Sequence, residues 1–135
     1  MRLPDFMKKG LMLYGDAKTS PDSPETLAKL AKAYREEGRV HDALECFRLV
    51  NHPKGIEEIV NEAVSEGDYF LFLRGMEALN LPIDKTRLIE LARSAREKGK
   101  LTFAFMAYRD AGDEALAREV ESLMSNASQN GETAD

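Results

Sequence analysis

Along most of the chain, apolar residues recur three and four positions apart, with charged residues between them. This spacing is typical of helices that bury one face. Residues 69–73 break the pattern, because five apolar side chains follow one another there in the sequence YFLFL. Taken alone, such a run is typical of a buried strand or of a segment prone to aggregate. Its surroundings decide between strand and helix.

Those surroundings form a repeat. Three segments carry the same arrangement of apolar positions around Gly38, Gly67 and Gly99, offset by 29 and then 32 residues. The matching columns before the glycine hold Leu27, Ile56 and Leu88; Leu30, Ile59 and Leu91; and Ala31, Val60 and Ala92. Those after it hold Val40, Tyr69 and Leu101; Leu44, Leu73 and Phe105; Phe47, Met76 and Tyr108; and Val50, Leu79 and Ala111. The tripeptide NHP at 51–53 also recurs as NLP at 80–82.

Each copy predicts two helices joined by a turn at its glycine, which permits the positive φ at which helices commonly stop. Ser23 followed by Pro24 is expected to cap the first helix, and Asp84 the fifth. The run at residues 69–73 then belongs to the second helix of the middle copy, with Tyr69, Leu73 and Met76 in the core.

The segments outside the repeat have simpler patterns. After Gly112 a further helix is predicted, and its apolar stripe would cover the end of the array. The polar residues 128–135 are expected to be a disordered tail. Residues 1–23 are expected to contain a short helix, Asp5 to Tyr14, and a loop. The repeat domain is therefore placed at residues 24–127.

The first copy resembles the tetratricopeptide repeat, through Leu27-x-x-Leu30-Ala31-x-x-Tyr34, Gly38 and Ala43-x-x-x-Phe47. The resemblance extends from residue 24 to about 113, although the offsets are shorter than the family's repeat of about 34 residues. It implies an all-α fold, a right-handed stack of about three hairpins with a C-terminal capping helix (an α-α superhelix). It also implies that the first helix of each hairpin lines a concave groove that holds a segment of a partner protein.

The positions that match groove-lining columns of that family are unusually basic. Five of the twelve are Lys or Arg and two are Glu, a local charge of +3 in a chain of net charge −5. They are Glu25, Ala28, Lys32, Arg35, Lys54, Glu57, Asn61, Val64, Thr86, Ile89, Arg93 and Arg96. We therefore predict a groove that binds an acidic segment of a protein or peptide partner. The partner-binding residues are predicted to be Lys32, Arg35, Asn61, Arg93 and Arg96. The alternative for each is an ordinary solvated helix face.

A second candidate surface lies on the other helices. Phe70, Leu71 and Phe103 occupy columns that are usually polar on the convex side of the family, so they are predicted to form an apolar strip. The strip is expected either to be covered within the chain, by rotation inward or by the front segment folding back, or to mediate self-association. A structural subunit that forms a homodimer through these residues is thus the alternative function.

Composition narrows the choice of partner and location. The net charge of −5 and the pI near 5.2 argue against general binding to nucleic acid phosphates. The longest apolar runs fall well below the roughly 18 residues that span a membrane, so no membrane association is expected. The start of the sequence lacks the pattern of a secretory signal. Cys46 has no second cysteine to pair with, and a reducing cytoplasm is the expected location.

Candidate catalytic chemistry is sparse. His41 and Cys46 are five residues apart on one predicted helix, which puts them on different faces. Cys46 shares a column with Gly75 and Ala107, as expected of a small residue where helices approach closely. The sequence offers no pair of histidines with metal-ligand spacing and no glycine-rich phosphate loop. We therefore predict no enzymatic activity, no metal and no cofactor.

Overall fold

The computed structural model describes residues 23–129, with side chains up to residue 127. Within this range the chain is all-helical, with seven helices and no strand. The predicted front helix Asp5 to Tyr14 and the tail from residue 130 lie outside the described residues. The last described helix continues to Gln129, so its final two residues fall in the predicted tail.

The helices alternate with short turns. In chain order they are α1 (Pro24–Glu36), α2 (Val40–Leu49), α3 (Pro53–Glu66), α4 (Tyr69–Leu79), α5 (Lys85–Glu97), α6 (Leu101–Asp110) and α7 (Glu114–Gln129). The run at residues 69–73 is the first half of α4, as the repeat predicts. The helical periodicity of the whole hairpin therefore outweighs the local strand preference of these five residues.

The three repeat glycines occupy equivalent turns. Gly38, Gly67 and Gly99 have φ of +81°, +72° and +78°. In each turn the residue after the glycine donates its N–H to a carbonyl five residues back, at 2.8, 2.9 and 2.7 Å. This is the Schellman arrangement that ends helices with a left-handed residue. The predicted role of the three glycines is confirmed.

Two asparagines end helices in the same way, which the sequence pattern did not predict. Asn51 and Asn80 have φ of 52° and 60°, and their repeat equivalent in the third copy is Gly112, with φ of +84°. Asparagine tolerates this conformation better than other residues that carry a Cβ. The recurrence of NHP and NLP therefore marks the end of the second helix in the first two hairpins.

The predicted N-caps are confirmed. The side chains of Ser23 and Asp84 accept hydrogen bonds from the N–H groups of Thr26 and Thr86. Three more helices are capped by residues that the pattern did not single out: His52 for α3, Asp68 for α4 and Asp113 for α7. The His52 cap uses Nδ1 as an acceptor from the N–H of Gly55, at 2.9 Å.

The chain divides into two compact units, one ending at Ile59 and the other beginning at Val60. In the first, α1 packs against α2, and the core includes Leu30, Tyr34 and Leu44. In the second, α6 packs against α4, α5 and α7, and the core includes Phe72, Leu91 and Val120. No charged side chain of the described residues is buried. Each unit is therefore held together by apolar packing between neighbouring helices.

Small residues set the closest approaches inside the second unit. A Cβ atom on Gly75 would lie 2.5 Å from Cγ2 of Val60, so α3 and α4 are nearly in contact there. Cys46 and Ala107, which share the column of Gly75, are also buried. Tyr69 and Met76 lie in the core as predicted, whereas Leu73, also predicted for the core, is only half-buried. Phe72 is fully buried beside them.

Candidate partner-binding groove

An open groove of about 450 Å³ lies between α3 and α5 in the second unit. Its lining consists of Asn61, Val64, Ser65, Arg87, Glu90, Arg93, Ser94 and Glu97. Asn61 and Arg93, both predicted to bind a partner, therefore lie in one site. We refer to this site as the α3–α5 groove.

The lining differs from the predicted one in charge. It holds two arginines, Arg87 and Arg93, and two glutamates, Glu90 and Glu97, which cancel. The predicted face of α5 carried residues 86, 89, 93 and 96, whereas the observed face carries 87, 90, 93, 94 and 97. A rotation of α5 by less than one residue accounts for this difference, because successive residues are about 100° apart around a helix. At this junction the lining is therefore of mixed charge, while the basic groove across three hairpins stays a prediction.

Arg35 and Arg96, also predicted to contact a partner, are held by ion pairs within the chain. Arg35 of α1 pairs with Glu58 of α3 at 3.2 Å. Arg96 of α5 pairs with Glu119 of α7. Each pair is partly exposed, and each joins the first helix of one hairpin to the next helix but one. These two arginines connect helices instead of projecting freely. Lys32, in the first unit, is exposed.

The two ion pairs occupy equivalent positions of the repeat. In both, the residues are 23 positions apart. Glu58 directly precedes the buried Ile59, and Glu119 directly precedes the buried Val120. The sequence therefore repeats an arginine and a glutamate at a fixed separation, a pattern that the apolar columns alone do not include.

The junction between α3 and α5 lacks such a pair. Val64 occupies the repeat position that holds Arg35 and Arg96 at the other junctions. Glu90, which precedes the buried Leu91, occupies the position of Glu58 and Glu119. Valine has no group that can pair with a carboxylate. Within the described part of the chain Glu90 and Arg93 form no ion pair, and both are exposed. The α3–α5 groove is thus the junction at which the repeated ion pair is missing.

The predicted apolar strip is only partly at the surface. Leu71 is 2% exposed, so it is removed from the strip and cannot serve as a contact in the folded chain. Leu71 lies at one edge of the face that α4 buries, which also carries Phe72 and Met76. Phe70 is 50% exposed, and its ring packs edge-on against the half-buried Phe103 at 5.6 Å. The exposed part of the predicted strip is therefore Phe70, with Phe103 beside it.

Phe70 also belongs to an apolar cleft that the sequence did not predict. The cleft measures about 550 Å³ and lies between α4 and the segment that leads to α5. Its lining consists of Phe70, Leu73, Arg74, Glu77, Leu81, Pro82 and Ile83. Leu81 and Ile83 are 48% and 42% exposed. Three of the five large apolar side chains that are exposed in the described residues gather here.

Cys46 is a buried thiol. Burial, followed by the negative charges of Asp42 and Glu45, raises its pKa to about 11. The thiolate, which is the nucleophilic form, is therefore scarce at neutral pH. Among the residues that the structure describes, no three His, Cys, Asp or Glu side chains are grouped so that they could hold a metal ion.

Tyr69 is linked to α6 by a hydrogen bond from its hydroxyl to a carboxylate oxygen of Asp110. Burial, together with this hydrogen bond, raises the pKa of Tyr69 to about 12. The ring of Tyr69 lies 5.2 Å from that of Phe70 and 6.4 Å from that of Phe103. The aromatic cluster therefore joins α4 to α6.

None of the described helices combines the length and the apolar character needed to cross a bilayer. A scan against protein-family models finds no match. Searches of curated proteins and of solved structures likewise find no similar chain.

Proposed function

We propose that this protein is a non-catalytic interaction module of the cytoplasm. In this proposal its hairpins form a right-handed, tetratricopeptide-like stack with α7 as the capping helix. The α3–α5 groove binds an exposed segment of a partner protein, and acidic side chains of that segment pair with Arg93. The partner is a protein or peptide, not a nucleic acid or a membrane.

The observation that carries the proposal is the missing ion pair at this junction. The equivalent positions at the other two junctions are bridged by Arg35–Glu58 and Arg96–Glu119. At the α3–α5 junction the same space is open and is lined by groups that can make directional contacts. Arg87 of the lining pairs with Asp84, whereas Glu90 and Arg93 form no ion pair within the described chain, and a site that presents such groups is suited to a ligand that satisfies them.

The residues of the groove suit a peptide segment. The Arg93 guanidinium presents parallel N–H donors that match a carboxylate. Asn61 offers both a donor and an acceptor to a peptide backbone. Val64 provides apolar contact between these polar groups. Since the groove is open to solvent, an extended segment or one face of a helix can lie in it.

Selection from a displayed library of random peptides tests the proposal. We expect enriched peptides to contain Asp or Glu, and we expect their affinity to fall as salt concentration rises. Arg93→Glu should abolish their binding. Lys98→Glu is the matched control, because Lys98 is exposed near the end of α5 but does not line the groove. The proposal is wrong if no peptide is enriched, or if Arg93→Glu and Lys98→Glu behave alike.

The apolar cleft supports a second candidate function, self-association as a structural subunit. The clustering of exposed Phe70, Leu81 and Ile83 favours it, because contiguous apolar surface commonly marks a contact site. Light scattering after size-exclusion chromatography should then show a dimer for the natural chain and a folded monomer for Phe70→Glu. A natural chain that is monomeric at all accessible concentrations excludes this function.

A further inference from the structure

We infer that the segment bound in the α3–α5 groove presents a basic side chain, arginine or lysine, to Glu90. The partner would thereby supply the cation that Val64 cannot. This inference rests on the proposed function, since it names the chemistry of the segment that the same groove binds. The segment must then carry a basic side chain in addition to the acidic ones that pair with Arg93.

One ion-pair geometry is used repeatedly in this chain. Twice in the described residues a glutamate that directly precedes a buried aliphatic residue receives an arginine from the neighbouring first helix, as Glu58 does from Arg35. Glu90 occupies the same place on α5. Its carboxylate is exposed and forms no ion pair within the described chain. A guanidinium or ammonium group arriving from outside would find this acceptor already held by a rigid helix.

Charges alternate along the face of α5 that lines the groove. Glu90, Arg93 and Glu97 follow one another in alternating sign, after Arg87, which is paired with Asp84. Neighbours in this series are three or four residues apart, about one turn or 5.4 Å. Alternate residues of an extended segment are spaced by about 6.6 Å, and residues one turn apart in a helix by about 5.4 Å. Either segment can oppose the series with side chains of the complementary sign.

The side chain at position 64 leaves space for a ligand group. Val64 lines the groove without filling it, so the space that an arginine occupies at the other two junctions is available to a ligand. A segment that carried only acidic side chains would satisfy Arg93 but would place negative charge beside Glu90 and Glu97. Like charges in proximity oppose binding. A segment of mixed charge avoids this repulsion.

The experiment uses the full-length protein and a synthetic copy of the most enriched library peptide. We expect the peptide to contain at least one Arg or Lys besides its acidic residues. Replacing that basic residue by glutamine should weaken binding by up to about fivefold, the range of a partly exposed ion pair. Glu90→Gln should weaken binding to the same extent, and the two changes together should cost no more than either alone. Glu121→Gln, at an exposed site of α7 outside the groove, is the control.

Substitution at position 64 gives an independent readout. Val64→Arg should close the junction with an ion pair to Glu90, weakening peptide binding by about tenfold or more through loss of both the space and the acceptor. Val64→Gln, which is polar but uncharged, should weaken it less. In the Glu90→Gln background this difference should disappear.

The outcomes separate the two proposals. If no peptide is selected, the proposed function fails. If peptides bind and Arg93→Glu abolishes their binding, but no basic residue of the peptide is coupled to Glu90, the proposed function stands and this inference is overturned. Equal binding by Val64→Arg and Val64→Gln would overturn it as well.

Discussion

The turn at Gly67 lies directly against the backbone of Ala95. A Cβ atom at residue 67 would be 2.5 Å from the Cα atom of Ala95 and 2.6 Å from its nitrogen. The Lys100 side chain donates a hydrogen bond to the carbonyl of Glu66 beside the same turn, at 2.8 Å. Gly67 therefore has two reasons to be glycine, its positive φ and the neighbouring helix α5.

Substitutions at the repeat glycines should separate these two reasons. Nothing lies within 4 Å of a Cβ atom at Gly99, so Gly99→Ala should lower the free energy of unfolding by about 1 kcal/mol through backbone strain alone. Gly67→Ala should cost a further 1–3 kcal/mol or so, because neighbouring backbone must move. Urea denaturation measures both values. Equal losses at the two sites would show that the contact with Ala95 does not constrain the turn.

The left-handed asparagines predict an unusual order of stability. Asn80→Ala should lower the free energy of unfolding by about 1 kcal/mol, because alanine is less tolerant of a positive φ. Asn80→Gly should leave it unchanged or raise it slightly. Thermal unfolding of the three proteins tests the order. An alanine variant as stable as the glycine variant would contradict the assignment of Asn80 as a helix-ending residue.

The ion pairs that flank the groove should be weak but measurable. For Arg96 and Glu119, a double-mutant cycle with Arg96→Met and Glu119→Gln should give a coupling free energy of roughly 0.2–1 kcal/mol that falls with added salt. The same cycle at Val64 and Glu90 should give a coupling near zero in the natural background. A coupling there as large as at the flanking pair would show that the α3–α5 junction is already closed.

Stability should decline at alkaline pH in two steps. The pKa of Cys46 rises from 9.0 to about 11 on folding, and that of Tyr69 rises from 10.0 to about 12. Because both pKa values are higher in the folded chain, the unfolded chain releases these protons at lower pH than the folded chain does. The free energy of unfolding therefore falls as pH rises between the two pKa values of each group. The contribution of Cys46 is complete below pH 9 and is lost toward pH 11. That of Tyr69 is complete below pH 10 and is lost toward pH 12.

Unfolding by urea at a series of pH values, with each variant compared with the natural chain, tests these windows. Cys46→Ala should reduce the decline in the free energy of unfolding in the lower pH window, and Tyr69→Phe should reduce it in the upper window. The burial of Tyr34 also raises its pKa and adds to the alkaline decline, so neither variant should abolish the decline entirely. A Tyr69→Phe protein with the same slope above pH 10 would contradict the assigned cause.

The repeat could be predicted because its signals are local. Apolar spacing sets the helices, and a glycine or a capping side chain ends or begins them within a few residues. The face that each side chain presents was harder to predict. A small rotation of α5 brings Glu90 and Glu97 into the groove and turns Arg96 toward α7, and a similar uncertainty on α4 hid the burial of Leu71. Such rotations depend on tertiary packing that no single segment encodes.

The ion pairs illustrate a second limit. Arg35 and Arg96 were identified as basic residues at equivalent positions, and this suggested a basic groove. Their acidic partners lie 23 residues further along the chain, beyond the range of a local pattern. An alignment that follows charge together with apolar columns would have found both pairs, and would have shown Val64 as the exception.

The packing of each helix against its neighbours in sequence has a kinetic consequence. The pairs α1 with α2, α5 with α6, and α6 with α7 close short loops, and ordering a short loop costs little chain entropy. Chains dominated by such contacts fold fast, on the microsecond to millisecond scale. Each turn that ends in a left-handed residue can form before distant segments meet. Folding is therefore expected to start in more than one hairpin and to spread from there. As the structure spreads to α4, a newly made chain covers Tyr69, Leu71 and Phe72 of its YFLFL segment and leaves Phe70 half-exposed.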